Sequence, residues 1–65
     1  MDSVMRLRLL REQYEDGLRH YVMARKAERE GNKVLMRVCL LKARARYTQC
    51  KAKADVAECN RLLGQ

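Results

Sequence analysis

The stretch Glu30-Gly31-Asn32-Lys33 decides the fold of this 65-residue chain, because it holds the strongest helix breaker between two long helical patterns. Glycine is favoured just past the end of a helix, and asparagine is a good cap for the helix that follows. The pattern predicts a helix over about residues 3–30, a link at Gly31–Asn32 and a second helix over about residues 33–63. Since the link is short, we expect the two helices to be antiparallel.

The composition agrees with an all-α chain of one domain. Proline is absent and β-branched residues are few, which argues against an all-β fold. Apolar residues make up 48% of the chain, too many for a disordered tail. The apolar runs, such as residues 38–41, are too short to span a bilayer. The first residues lack a secretory leader, so we expect a cytoplasmic protein.

A lone two-helix hairpin of this length is marginally stable. Ordering each residue costs about 1.5 kcal/mol, and chains below about 70 residues rarely offset that cost with one core. Disulfides, metals or association usually supply the rest, and the sequence offers no metal-ligand pattern. We therefore expect a coiled-coil-like hairpin that is completed by self-association or by a partner helix.

The first helix carries one apolar stripe that runs from Leu7 to Ala24 and includes Gly17. A glycine there predicts room for an aromatic ring or for a neighbouring backbone. The alternative is a tolerated weak point or a slight kink. The tyrosines lie at inter-helix positions and are predicted to be core residues, with base stacking as the alternative: Tyr14, Tyr21 and Tyr47.

The second helix has apolar residues on two opposite faces. The face with Met36, Leu40 and Tyr47 is predicted to pack on the first helix. The other face should meet a partner or a second copy, because monomers rarely expose such a stripe. A solvated stripe is the alternative. The large residues of this face form the predicted partner interface: Val34, Val38, Leu41, Val56 and Leu63.

The positive charge belongs mostly to the second helix. The chain has a net charge of +7, and residues 33–53 contain seven cations and no acid. A cationic stripe attracts phosphates, so an acidic membrane surface or a nucleic acid is a possible partner. The alternative is a solvated face that gives solubility. The predicted basic surface consists of Lys33, Arg37, Lys42, Arg44, Arg46, Lys51 and Lys53.

Residues that carry chemistry are sparse, which argues against an enzyme, a cofactor site, a metal site or a small-molecule substrate. His20 is the single histidine and falls on the polar side of the first helix, where we expect it to be solvated. Cys39 and Cys50 share a face about 16 Å apart, beyond disulfide reach, and Cys59 lies opposite. Reduced, buried cysteines are predicted, with an intermolecular disulfide as the alternative.

Some segments resemble the N-terminal helical hairpin of ESCRT-III membrane-remodelling subunits. The counterparts are Leu10-Arg11-Glu12-Gln13-Tyr14, Ala24-Arg25, Gly31-Asn32-Lys33 and Leu40-Leu41-Lys42-Ala43-Arg44-Ala45-Arg46-Tyr47. The resemblance covers most of this chain but only the hairpin of that family. It implies an assembly role at a membrane.

In length and hairpin form, the chain is also similar to two other families. These are the small two-helix co-chaperones of type III secretion needle subunits and the plasmid-type RNA-binding hairpins that dimerise into four-helix bundles. The sequence thus predicts a non-enzymatic interaction or assembly module that packs an apolar helix face on a partner. The alternatives are a co-chaperone or adaptor of a secretion apparatus and a dimeric RNA- or DNA-binding hairpin.

Overall fold

The computed structural model describes residues 3–64, and over this range the chain is helical without a strand. The prediction of an all-α fold is confirmed. Met1, Asp2 and Gln65, which the predicted single domain includes, lie outside the described residues. The helices in chain order are α1 (Ser3–Arg29), α2 (Lys33–Gln49) and α3 (Lys53–Leu63).

The turn between α1 and α2 lies where the sequence predicts it. Gly31 has a φ of 75°, and its N–H donates to the carbonyl of Glu28 at 3.1 Å. The N–H of Asn32 donates to the carbonyl of Ala27 at 2.9 Å, which completes a Schellman motif. The Asn32 side chain then accepts a hydrogen bond from the backbone N–H of Leu35 at 3.0 Å and caps α2.

Helices α1 and α2 are antiparallel and pack closely around small residues and one ring. Leu40 and Tyr47 of α2 are fully buried, and Ala24 of α1 is buried with them. The Tyr47 ring lies against Gly17, where a Cβ atom would be only 2.9 Å from Cε1 of the ring. The prediction that Gly17 leaves room for an aromatic ring is therefore confirmed.

The prediction of an unbroken second helix is wrong, because the chain turns at Cys50–Ala52. Lys51 has a φ of 61°, and its N–H donates to the carbonyl of Thr48 at 3.1 Å. The N–H of Ala52 donates to the carbonyl of Tyr47 at 2.8 Å. This is the same Schellman pattern as at the first turn, with a lysine in the left-handed position instead of a glycine.

Helix α3 folds back along α2, so the chain forms a three-helix bundle and not a two-helix hairpin. Arg44 Nη1 donates to Asn60 Oδ1 at 2.8 Å and ties α2 to α3. The break allows Val56, Cys59 and Leu63 to join the core, whereas an unbroken helix would turn them away from it. Burying them offsets the cost of the strained turn.

Two tyrosine hydroxyls join α1 to α3 across the bundle. The Tyr14 hydroxyl donates to Asp55 Oδ1 at 3.4 Å, and the Tyr21 hydroxyl donates to Glu58 Oε2 at 3.3 Å. The third ring, Tyr47, is buried, and Tyr14 lies 5.3 Å from it between ring centroids. The tyrosines therefore belong to the helix interfaces, with Tyr14 and Tyr21 at the rim.

Candidate functional site

A line of aliphatic side chains on α2 points away from the core. Val34 is 78% exposed, Val38 42% and Leu41 38%. Ala45 continues the line and is also exposed. Because the four positions are separated by steps of four, three and four, they lie along one side of the helix. We call Val34, Val38, Leu41 and Ala45 the outer row.

The geometry of α2 explains why the outer row is uncovered. Leu40, Ala43 and Tyr47 form the opposite side of α2, and all three are buried. Helix α1 packs on that side, and α3 adds Val56 and Cys59 to the same core cluster. Both neighbouring helices therefore occupy one side of α2, and the outer row faces outward.

The structure divides the predicted partner interface into two parts. Val34, Val38 and Leu41 lie in the outer row, whereas Val56 and Leu63 pack against the core of the chain itself. The physical reason is the turn at Lys51, which rotates α3 relative to α2. The five residues therefore do not form one exposed face, and the candidate surface is confined to α2.

The predicted basic surface is also divided. Lys33, Arg37 and Lys42 are exposed on α2 near the outer row. Arg44 is bonded to Asn60, and Arg46 Nε lies 2.8 Å from Asp16 Oδ2 of α1. Lys51 and Lys53 lie at the turn into α3.

The cations near the outer row flank it on two sides. Arg37 lines a cleft with Leu62 and Leu63 and so lies on the side of α3. Lys42 lines a shallow depression with His20 and so lies on the side of α1. The aliphatic row is consequently bordered by positive charge along both edges.

The cleft beside Arg37 has a volume of about 370 Å³ and lies where the end of α3 meets the start of α2. Its apolar walls are Met36, Leu40, Leu62 and Leu63, with Lys33 at the rim. The sequence does not predict this cleft, because the cleft exists only when α3 folds back. The only sign of it in the sequence is the pair of opposed apolar faces in the predicted second helix, which indicates that this helix does not continue unbroken.

A second apolar surface lies at the start of α1. Val4, Met5, Leu7 and Leu9 are all exposed. The turn into α3 lies near Tyr14, so the first turns of α1 extend beyond the other two helices. Residues 3–10, which we call the N-terminal arm, lack a clear apolar side, because apolar residues occur all around the helix there.

His20 is not on a solvated face as predicted. It is half-buried between α1 and α2, with Nε2 at 3.7 Å from Asp16 Oδ2, and it lies beside Lys42 and Arg46. The predicted stripe from Leu7 to Ala24 is only partly the buried side of α1, because Leu7 and Leu18 are exposed whereas Ala27 is buried. His20 therefore lies at the edge of the interface between the two helices.

The three cysteines are free within the single chain, and their reduced state stays a prediction. Cys39 and Cys59 are buried and Cys50 is half-buried. Burial, followed by the charge of Asp55, raises the pKa of the Cys59 thiol. Among residues 3–64, no three His, Cys, Asp or Glu side chains form a group that could hold a metal ion.

Comparison of the chain with protein-family models, curated proteins and solved structures finds no match. None of the three helices has both the length and the apolar character that a bilayer-spanning segment needs.

Proposed function

We propose that this chain is a non-enzymatic helical interaction module that binds a partner helix through the outer row. The observation that carries the proposal is the exposure of Val34, Val38 and Leu41 on the side of α2 opposite the core. A contiguous apolar line on the surface of a soluble domain is typical of a protein–protein contact. The outer row is convex and straight, a shape that fits between the ridges of another helix.

The N-terminal arm adds a second apolar area to this small chain, but it supports the proposal less. Its apolar residues surround the helix, whereas those of the outer row share one side. A partner helix buries side chains that share one side most efficiently. The outer row is therefore the surface that we assign to partner binding.

The predicted secretion co-chaperone or assembly module would use such a surface to hold another helix. The nucleic-acid alternative draws support from a different observation, the exposed cations Lys33, Arg37 and Lys42 along α2. Phosphate binding should weaken steeply as salt is raised, whereas an apolar helix contact should not. Titration of the purified chain with RNA at two salt concentrations distinguishes the two classes.

The test of the proposal is site-specific photo-cross-linking followed by binding to a purified partner. A photoreactive amino acid at position 38 should cross-link a partner in cells, and one at position 22 should not. Val22 is a matched control, because it is an aliphatic residue of α1 with 57% exposure. Mass spectrometry identifies the cross-linked protein and distinguishes a second copy from a different partner, and the purified pair is then titrated.

Leu41→Asp should weaken that purified complex by a factor of about ten or more, because it removes a leucine that the partner covers and places a charge in the contact. Val22→Asp should leave the affinity unchanged. Circular dichroism should show that both variants stay helical, whereas Tyr47→Asp unfolds the chain because Tyr47 is buried. If Leu41→Asp binds as tightly as the unmodified chain, the outer row is not the binding surface.

A further inference from the structure

The outer row has the spacing of a coiled-coil seam. Its four residues follow one another in steps of four, three and four, so Val34 and Leu41 occupy d positions and Val38 and Ala45 occupy a positions of a heptad. Four residues at this spacing cover about two heptads, or about 16 Å of helix. The seam is short for a coiled coil, so we expect a weak and reversible complex.

Of the four e and g positions next to this seam, three carry positive charge and one holds Leu35, and Arg44 at one g position is already bonded to Asn60. In the same register, Arg37 occupies a g position and Lys42 an e position. Both side chains are exposed, and they lie on opposite sides of the outer row. Charges at e and g select the partner and the orientation of a coiled coil.

A second copy fits this pattern poorly in either orientation. In a parallel pair, the g position of one helix faces the e position of the next heptad on the other, so Arg37 would face Lys42 of the copy. In an antiparallel pair that overlaps all four residues, g faces g and e faces e, so Arg37 would face Arg44 of the copy, while Lys42 would face Leu35. Both arrangements place like charges together, and the net charge of +7 on each chain adds to the repulsion.

We propose that the outer row binds an acidic helix, a partner segment with aliphatic residues at its a and d positions and Glu or Asp at its e and g positions. This inference rests on the proposed function and narrows it to a hetero-complex of stated chemistry. The partner's aliphatic residues cover Val34, Val38 and Leu41. Its carboxylates lie beside Arg37 and Lys42.

The test uses two synthetic three-heptad peptides with leucine at a and d, one with Glu and one with Lys at every e and g position. Fluorescence anisotropy of the labelled peptides measures their affinity for the full chain. We expect the Glu peptide to bind about tenfold or more tightly than the Lys peptide, and the difference to shrink as salt is raised. Leu41→Asp should abolish binding of the Glu peptide.

Charge reversal gives the sharper comparison. The double variant Arg37→Glu/Lys42→Glu should prefer the Lys peptide. The control Arg8→Glu/Lys26→Glu changes the net charge equally on exposed positions of α1, and it should keep the preference for the Glu peptide. If circular dichroism shows that the first variant is unfolded, Arg37→Gln/Lys42→Gln replaces it and should remove the preference.

Several results would overturn the inference. Equal affinity for the two peptides, or equal effects of the two double variants, would mean that Arg37 and Lys42 do not select the partner. If sedimentation shows that the unmodified chain is a dimer and that Leu41→Asp dissociates this dimer, the outer row binds a second copy. The inference of an acidic helix would then be wrong, but the proposed function would survive. If the chain binds RNA, and if Arg37→Glu/Lys42→Glu abolishes that binding while Leu41→Asp preserves it, the surface binds phosphates and not an acidic helix. Glu-peptide binding unaffected by Leu41→Asp would contradict both proposals.

Discussion

The backbone of α1 at Gly17 lies directly against the ring of Tyr47, and this contact sets the distance between α1 and α2. A Cβ atom at Gly17 would be 2.9 Å from Cε1 and 3.0 Å from Cδ1 of the ring. The ring cannot move aside easily, because Tyr47 is buried and Tyr14 packs on it with a centroid distance of 5.3 Å. The two helices approach this closely only because one residue has no side chain.

Gly17→Ala should therefore destabilise the fold although alanine is the better helix former. Alanine gains about 1 kcal/mol in helix propensity, but crowding of a packed core costs about 1–3 kcal/mol, and here we expect the crowding to prevail by about 1 kcal/mol. Urea unfolding measures the difference. Leu18→Ala, at the neighbouring exposed position, should change the stability little. A Gly17→Ala variant more stable than the parent would show that α2 moves away without cost.

Lys51→Gly should stabilise the chain. Lys51 has a φ of 61°, a conformation that costs a residue with a side chain about 1–2 kcal/mol and glycine almost nothing. We expect a gain of about 1 kcal/mol in the free energy of unfolding, measured by thermal or urea denaturation. Lys51→Ala is the control, because it removes the charge but keeps the strain, and its stability should stay near that of the parent. A loss of stability in Lys51→Gly would contradict this account of the turn.

The fold could be predicted where its determinants are local. Gly31 and Asn32 mark the first turn by their own chemistry, and the structure confirms both the turn and the asparagine cap. The second turn could not be predicted this way, because lysine does not favour the left-handed conformation that Lys51 adopts. The burial of Val56, Cys59 and Leu63 stabilises that turn, and this energy depends on contacts between distant residues.

The turn at Lys51 explains most of the two opposed apolar faces of the predicted second helix without a second interface. In a continuous helix, Leu40 and Val56 fall on opposite sides, which suggested a second interface. A turn between them places both in one core. Val34, Val38 and Leu41 of the outer row are still uncovered in the structure, and their binding of a partner stays a prediction.

The position of His20 was predicted wrongly because a helical pattern in the sequence does not show the angle at which the neighbouring helix crosses.

Asn32→Ala should destabilise the chain by about 1 kcal/mol, since it removes the hydrogen bond from the Leu35 N–H to the cap at 3.0 Å. Asn32→Ser keeps an oxygen in reach and should cost much less. Thermal unfolding followed by circular dichroism measures both. Equal losses for the two variants would mean that the side-chain hydrogen bond does not stabilise α2.

Stability should fall at alkaline pH through Cys59. Burial raises the pKa of this thiol in the folded chain, so the unfolded chain ionises first, from its usual value of about 8.5. Stability is complete below that pH and is lost progressively as the pH rises above it. Burial also raises the pKa of Tyr47, so its ionisation in the unfolded chain lowers the stability further from about pH 10.

Urea titrations at about pH 7 and about pH 9.5 test this linkage. Cys59→Ala should lower the stability at both pH values but reduce the difference between them. Ala24→Gly is the control, because it weakens a buried helix position without removing a titratable group, and it should keep the full pH difference. An unchanged difference in Cys59→Ala would assign the pH dependence to another group.

The shortness of α3 has a consequence for how the molecule fluctuates. Its 11 residues are fewer than the 12–15 or so at which an isolated helix becomes even marginally stable in water, so α3 is helical only while it is docked. Undocking and unfolding of α3 are then a single event. The amide hydrogens of Lys53–Leu63 should exchange with solvent together, through an opening of lower free energy than global unfolding, while those around Leu40 stay protected until the whole chain opens.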